Sequence, residues 1–233
     1  MDIERVKTGI ANLDELVHGG FPKGSAILIA GGPGSGKTVL SAQFIYNGVQ
    51  NFGEKGVYAI FGETGDNFKR YMKTLGFDFE VLEKAGKVVV LGLATTKDEL
   101  VHGNVRLILD EVRRIGAKRL VIDSITSLML TSKEALENRV FITILQRFFQ
   151  TANCTTLLIA ETPWGKQGIG SGVEEFIADG IILMESFIDG TELRRRLIIP
   201  KMRGTGHDMK YYRFTISEGV GIKIIPYPEA RGL

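Results

Sequence analysis

The chain has 233 residues, a net charge of +2 from 29 basic and 27 acidic side chains, and a hydrophobic share of 44%. These values predict one globular domain over residues 1–233 and exclude a global basic field for nucleic acid, although a local basic patch stays open. The apolar runs are too short for a membrane helix, and the N-terminus does not read as a secretory signal. A single cysteine, Cys154, permits no intrachain disulfide, so we expect a cytoplasmic protein that does not span a membrane.

The first motif along the chain is GGPGSGKT, which has the G-x-x-x-x-G-K-[ST] spacing of a phosphate-binding loop, or Walker A motif. An apolar run over residues 25–30 predicts a strand before it, and helical spacing of apolar residues predicts a helix after it, ending near Gly53. Glycines let backbone N–H groups converge on phosphate, Lys37 supplies a positive charge, and the Thr38 hydroxyl suits Mg²⁺. The predicted nucleotide-binding residues are Gly31, Gly32, Pro33, Gly34, Ser35, Gly36, Lys37 and Thr38.

Three predicted strands each end in a carboxylate: Glu63, Asp123 and Glu161. In open α/β sheets, ligand sites form outside the carboxyl ends of the strands, so these side chains are candidates for the same site. Glu63 is the candidate general base. The apolar run before Asp123 is typical of a Walker B strand that delivers a metal-holding carboxylate, and a helix cap or turn is the alternative. For Glu161 two interpretations stay open, a sensor of the γ-phosphate or water and a cap of the next turn.

Strands and helices alternate as far as Glu161, which predicts an α/β fold with a mainly parallel sheet flanked by helices. A helix is predicted over residues 133–152, and a mobile glycine-rich loop over residues 163–172. Successive strands joined by tight turns follow from Gly180, so the C-terminal third is predicted to be antiparallel. The triplet Arg194 to Arg196 within it is interpreted as an edge or a solvated face.

Four motifs in order, GGPGSGKT, LVIDS, GVEEFIADGIILM and KMRGTGH, make the chain resemble the KaiC-like branch of the RecA superfamily of ATPases. The lead-in TGIANLDELVHGGFPKG resembles that family as well. The resemblance implies a RecA-like P-loop NTPase core with a twisted sheet. It also implies assembly into a homo-oligomeric ring, usually hexameric, with ATP between neighbouring subunits.

The resemblance also implies roles for the KMRGTGH segment, from which a lysine and an arginine reach the nucleotide of the neighbouring subunit in KaiC-like proteins. The matching positions here are Lys201, Arg203, Thr205 and His207. Arg203 would resemble an arginine finger, which stabilises charge on the transferring phosphoryl group. An ordinary basic strand end is the alternative for the segment, and His207 is equally compatible with a structural or exposed histidine.

One departure concerns the family's usual pair of adjacent glutamates. This chain reads Phe61-Gly62-Glu63-Thr64 and keeps the second glutamate, so the rate of hydrolysis is in doubt while Glu63 stays the candidate base. We therefore expect a Mg²⁺-dependent ATPase, a hydrolase, that acts as a ring on an unidentified protein client. The alternatives are an ATP-switched regulatory or scaffold module with little hydrolysis, and a RecA-like motor acting on DNA, against which the near-neutral charge speaks.

Overall fold

The structure is a computed structural model that describes residues 3–93, 98–129, 145, 147–149, 151–162 and 177–226. The predicted helix over residues 133–152 therefore lies largely outside the described residues, and the predicted loop over residues 163–172 lies wholly outside them.

The described residues form strands that alternate with helices in the first half of the chain and follow one another from Gly180 onwards. The strands are β1 (Arg5–Val6), β2 (Phe21–Pro22), β3 (Ala26–Gly31), β4 (Gly56–Phe61), β5 (Val88–Leu93), β6 (Arg119–Asp123), β7 (Thr155–Glu161), β8 (Gly180–Asp189), β9 (Glu192–Met202), β10 (Tyr212–Ser217) and β11 (Gly221–Pro226). The helices are α1 (Leu13–Leu16), α2 (Lys37–Phe52), α3 (Gly65–Thr74), α4 (Phe79–Lys84), α5 (Asp98–Ile115) and α6 (Ile125–Met129). The predicted end of the helix after the phosphate loop is confirmed, because Gly53 caps α2 with φ 67°.

In the described part of the chain, nine strands form one sheet in the order β11, β10, β9, β8, β3, β7, β6, β4, β5. Strands β3 to β7 are parallel, as predicted, and apolar side chains cover both of their faces. Ile27 packs on the α2 side with Phe44, whereas its neighbour Leu28 belongs to the cluster that contains Ile108 of α5. Burial on both faces explains why these strands are nearly continuous apolar runs.

The C-terminal strands are antiparallel with one exception. Strands β9, β10 and β11 pair antiparallel with their neighbours, as predicted, but β8 pairs parallel with β3 on its other side. The chain reaches β8 from β7 through a connection long enough for a crossover, which returns the chain to the same end of the sheet and produces a parallel strand. Strand β8 therefore joins the parallel and the antiparallel halves.

This order brings the carboxyl ends of β3, β7, β6 and β4 side by side at one edge of the sheet. The phosphate loop follows β3, Asp123 and Glu161 are the last residues of β6 and β7, and Glu63 lies just beyond β4. No helix in the described part of the chain combines the length and the apolarity that crossing a membrane requires.

Candidate nucleotide site

The phosphate loop connects β3, which ends at Gly31, to α2, which begins at Lys37. Two of its glycines are required by their surroundings. A Cβ at Gly31 would collide with the backbone carbonyl of Met184, and Gly36 has φ 97° with the side chain of Ile216 close by. Residues without side chains therefore let the loop run against β8 and turn into the helix.

Buried polar side chains lie in and beside the loop. Lys37 is buried and its Nζ donates to the Gly32 carbonyl at 3.0 Å. Burial lowers the pKa of Lys37, and the charges of Glu161 and Asp123 oppose that shift. Among the described residues, the buried hydroxyls of Ser35 and Thr162 have no hydrogen-bond partner. Buried polar groups without partners are costly, so these donors suit an anion or a water held by the loop.

The Thr38 hydroxyl donates to Asp123 Oδ2 at 2.9 Å, and the Tyr58 hydroxyl donates to the same oxygen at 2.9 Å. Burial raises the pKa of Asp123, against the hydrogen bonds from Thr38 and Tyr58. Burial and the charge of Asp123 raise the pKa of Tyr58 well above its usual range, so the phenol remains a donor. The predicted pair of Thr38 and Asp123 is thus in direct contact.

A hydroxyl and a carboxylate are the kind of oxygen ligands that Mg²⁺ prefers. The described residues contain no group of three or more His, Cys, Asp or Glu side chains that could hold a metal ion by themselves. This donor set fits a cation that takes a few protein ligands and completes its shell with phosphate and water.

Glu63 lies two residues beyond the end of β4 and is partly buried. The turn at Gly62, with φ 90°, separates it from the strand. Burial and the charge of Asp123 raise the pKa of Glu63, and Arg70 opposes the shift. Glu161 is the exposed last residue of β7, and its N–H donates to Thr126 Oγ1 at 2.9 Å. Its charge acts on Lys37 and Asp123, so both interpretations of Glu161 stay open.

Arg195 contacts the phosphate loop, which the interpretation of the arginine triplet missed. Its Nε donates to the Gly34 carbonyl at 3.1 Å. Arg194 and Arg196 pair instead with carboxylates of the same hairpin, Asp189 and Glu185, each at 2.9 Å. Side chains alternate between the two faces along a strand, so the middle residue of a triplet faces the opposite side from its neighbours. This alternation is the signal in the sequence that separates Arg195 from Arg194 and Arg196.

A groove of about 430 Å³ opens beside the loop, where β9 and β10 separate. The pairing of these strands extends to Phe214 opposite Arg195, beyond which β10 continues with β11. Phe214 and Ile216 also approach Gly36 of the loop, so the groove and the loop share a wall. The groove is lined by Glu192, Leu193, Arg194, Arg195, Arg213, Phe214, Thr215, Ile216 and Ile225.

The four residues of the KMRGTGH segment lie at the other end of the sheet. Gly31 of the loop pairs with Met184 of β8, which on its other side pairs with Leu197 of β9. Met202 of the segment pairs instead with Gly180, the first residue of β8. Leu197 and Met202 are five residues apart, which corresponds to about 16 Å along a strand. The structure therefore does not bring Lys201, Arg203, Thr205 and His207 to the phosphate loop of their own chain.

The same segment is fastened to the amino end of the sheet. Arg203 is exposed, and its Nη1 lies 3.2 Å from Asp179 Oδ1. Arg5 donates to Thr205 Oγ1 at 3.0 Å and to the Gly204 carbonyl at 3.2 Å. His207 Nδ1 lies 3.2 Å from the Thr205 carbonyl. These contacts hold the backbone of the segment at the surface.

A phosphate loop after a central parallel strand, with a carboxylate from a nearby strand bonded to its threonine, defines a P-loop nucleotide-binding domain. The family model described as "ATPase: KaiC" matches residues 6–229. The chain therefore belongs to the KaiC ATPase family, and the resemblance inferred from the four motifs is confirmed.

The chain is similar over nearly its whole length to several known proteins. A UPF0273 protein of Thermotoga maritima is 37% identical over 245 residues, which cover 99% of both proteins. The crystal structure of a KaiC-like protein from Pyrococcus horikoshii matches with a TM-score of 0.88 and 41% identity, over 97% of this chain and 100% of that one. The circadian clock oscillator protein KaiC of Parathermosynechococcus lividus is 33% identical over 96% of this chain but 43% of its own length.

Proposed function

We propose that the protein is a Mg²⁺-dependent ATPase that works as a homo-oligomeric, hexameric ring with ATP between neighbouring subunits. The observation that carries the proposal is the 2.9 Å hydrogen bond from Thr38 of the phosphate loop to Asp123 of β6. It joins the phosphate-binding and the metal-holding parts at the edge of a parallel sheet, where nucleotide sites form.

Nucleotide binding uses the loop and the groove beside it. The backbone N–H groups of residues 31–38 and the Lys37 ammonium hold the phosphates. The groove between β9 and β10 receives the base and ribose, with Arg195, Phe214 and Ile216 between the two parts of the site. Thr38 and Asp123 hold Mg²⁺, which neutralises charge on the phosphate oxygens when it is bound.

Hydrolysis requires that a water attack the γ-phosphorus in line with the departing ADP. The Glu63 carboxylate accepts the proton of that water, and the oxygen forms the new bond to phosphorus as the bond to ADP breaks. Its position beyond β4, next to Asp123, favours this role, because burial and the Asp123 charge raise the pKa of Glu63 and make it a stronger base than an exposed glutamate.

The remaining groups come from the neighbouring subunit. Lys201, Arg203, Thr205 and His207 lie at the opposite end of the sheet from their own loop, so they complete a site only on another copy. A head-to-tail ring joins two different patches of the chain at every interface, which allows the amino end of one sheet to face the carboxyl end of the next. Arg203 then leaves its ion pair with Asp179 and contacts the phosphates of the nucleotide bound to that neighbour.

Phosphate release from ATP by the full chain tests the enzymatic part. We expect Lys37→Ala to abolish nucleotide binding, and Glu63→Gln to keep binding while turnover falls at least about a hundredfold. Glu80→Gln, at an exposed carboxylate of α4, is the matched control and should turn over ATP like the wild type. If the wild type releases no phosphate above background while it binds ATP, the hydrolytic part is wrong and nucleotide binding remains.

A second candidate function is an ATP-switched scaffold with little hydrolysis. Gly62 favours it, because it stands where the KaiC-like proteins carry the first of two glutamates. Light scattering with and without ATP separates the two candidates. A size that depends on ATP with negligible turnover supports the scaffold, whereas turnover that rises with protein concentration supports catalysis at subunit interfaces.

A further inference from the structure

We propose that Tyr58 is a positioning residue that holds Asp123 in the orientation needed for Mg²⁺. The inference rests on the proposed function, since it assigns a supporting partner to the metal-holding carboxylate. Tyr58 is on β4, beside the strand that carries Asp123, and is fully buried. Its hydroxyl lies 2.9 Å from Asp123 Oδ2 and 2.9 Å from Ser41 Oγ.

The hydrogen bonds of this cluster direct the phenolic proton to Asp123, because an ionised carboxylate only accepts. The Ser41 hydroxyl, beside the phenol, has one proton and also lies 2.9 Å from the Lys37 carbonyl and 3.1 Å from the Thr38 carbonyl, so it joins the tyrosine to the first turn of α2. Asp123 Oδ2 then receives the protons of both Tyr58 and Thr38. One carboxylate oxygen has two lone-pair sites, so Oδ2 can accept from both donors at once. Oδ1 is then the oxygen that is left for the cation or its water.

The tyrosine ring is itself immobilised by packing. Its centroid is 4.3 Å from that of Phe68 and 6.4 Å from that of Phe79, both of which are buried. The hydroxyl therefore points at Asp123 from a fixed direction. Two fixed donors restrict the rotation of the carboxylate before any cation arrives, and groups that orient a metal ligand in this way strengthen metal binding.

The test removes one oxygen atom and measures the cation directly. Mn²⁺ replaces Mg²⁺ as a paramagnetic probe, and its affinity for the complex of the full chain with ADP is measured by electron paramagnetic resonance. The affinity for ADP alone is measured in EDTA. For Tyr58→Phe we expect Mn²⁺ affinity to fall about tenfold, with ADP affinity in EDTA within about twofold of the wild type.

Tyr46→Phe is the matched control. Tyr46 belongs to the same aromatic cluster, 5.1 Å from Phe77 and 5.9 Å from Phe79, but its hydroxyl contacts the exposed Gln50 rather than the site. We expect this variant to bind Mn²⁺ and ADP like the wild type. A drop of the same size in both variants would identify a general effect of losing a phenol from the cluster and would overturn the proposal.

Two further results would overturn the proposal. Mn²⁺ affinity of Tyr58→Phe within about twofold of the wild type would show that the carboxylate needs no phenol. Equal losses of ADP affinity with and without the cation would show that the ring supports the loop rather than the carboxylate. The wild-type measurement distinguishes failure of this proposal from failure of the proposed function. A wild type whose ADP complex binds no Mn²⁺ lacks the metal site itself.

Discussion

Asp123 combines a negative charge with a buried position, and this combination has a cost in the absence of a cation. Burial raises the pKa of Asp123 above that of an exposed aspartate, although two hydroxyl donors and Lys37 act in the opposite direction. The folded protein therefore binds the Asp123 proton more tightly than the unfolded chain does. Between the two pKa values the folded state holds more protons, so the free energy of unfolding falls as pH rises through that range and stays lower above it.

Asp123→Asn should relieve this cost, since the amide oxygen can still accept from Thr38 and Tyr58 without carrying charge. In EDTA and without nucleotide, we expect the variant to be more stable at pH 7 by about 1 kcal/mol, or roughly 3 °C in Tm. Its stability should also fall less between about pH 4 and pH 7 than that of the wild type. Thermal unfolding monitored by circular dichroism over this pH range measures both effects.

The control for this prediction is Asp110→Asn, which neutralises an exposed carboxylate of α5 and should change stability by less than about 0.5 kcal/mol. The same Asp123 variant should lose the gain in nucleotide affinity that Mg²⁺ provides. A variant less stable than the wild type at pH 7 would contradict the view that the charge of Asp123 is kept for the ligand.

At the scale of secondary-structure elements, Arg119 links three parts of the chain far from the nucleotide site. It is completely buried at the start of β6, and its Nε donates to Glu54 at 2.7 Å. Its other nitrogens donate to the carbonyls of Phe44 in α2, at 2.8 Å, and of Lys7, at 2.7 Å. A Cβ at Gly48 would meet this guanidinium, so the helix approaches the strand through that glycine.

Arg119→Met keeps apolar bulk but removes all of these donors, leaving two carbonyls and a carboxylate without them. We expect the free energy of unfolding to fall by about 3 kcal/mol, as measured by urea titration. Arg114→Met breaks an exposed pair with Glu111 and should cost less than about 1 kcal/mol. Equal losses in the two variants would mean that burial adds nothing to the Arg119 interactions.

The elements themselves could be predicted from the sequence because their signals are local. The apolar run before Gly31, the capping Gly53 and the carboxylate at the end of β6 are each specified by a few neighbouring residues. The contact of Arg195 with Gly34 joins residues 161 positions apart, and Tyr58 meets Asp123 across 65 positions. Such contacts depend on strand order, which the spacing of residues in one segment does not encode.

The same limit explains why the sequence predicts only the antiparallel pairing of β8. Its own residues predict a strand followed by a tight turn, which correctly indicates the pairing with β9. The parallel pairing with β3 depends on how the chain returns from β7, and no residue of β8 records that path. The antiparallel hairpins thus follow from sequence, while the place where they join the sheet follows from topology.

At the scale of the whole molecule, the sheet separates two sets of residues that the proposed function requires together. Glu63 and the phosphate loop lie at the carboxyl edge, and Arg203 lies at the amino edge. If one site takes Glu63 from one subunit and Arg203 from the next, two inactive variants can complement each other. Glu63→Gln supplies a functional Arg203, and Arg203→Ala supplies a functional Glu63.

We therefore expect that mixing the two variants restores ATP turnover that neither has alone. If subunits exchange at random in an equimolar mixture, about a quarter of the head-to-tail interfaces combine both intact residues, so turnover should reach roughly a quarter of the wild-type value. The measurement is phosphate release after co-refolding or prolonged exchange of the two variants. Mixing Glu63→Gln with Lys37→Ala is the control, because both changes lie on the same side of the interface and restore no site. If the first mixture is as inactive as the control while light scattering shows mixed assemblies, Arg203 does not act on the neighbour's nucleotide.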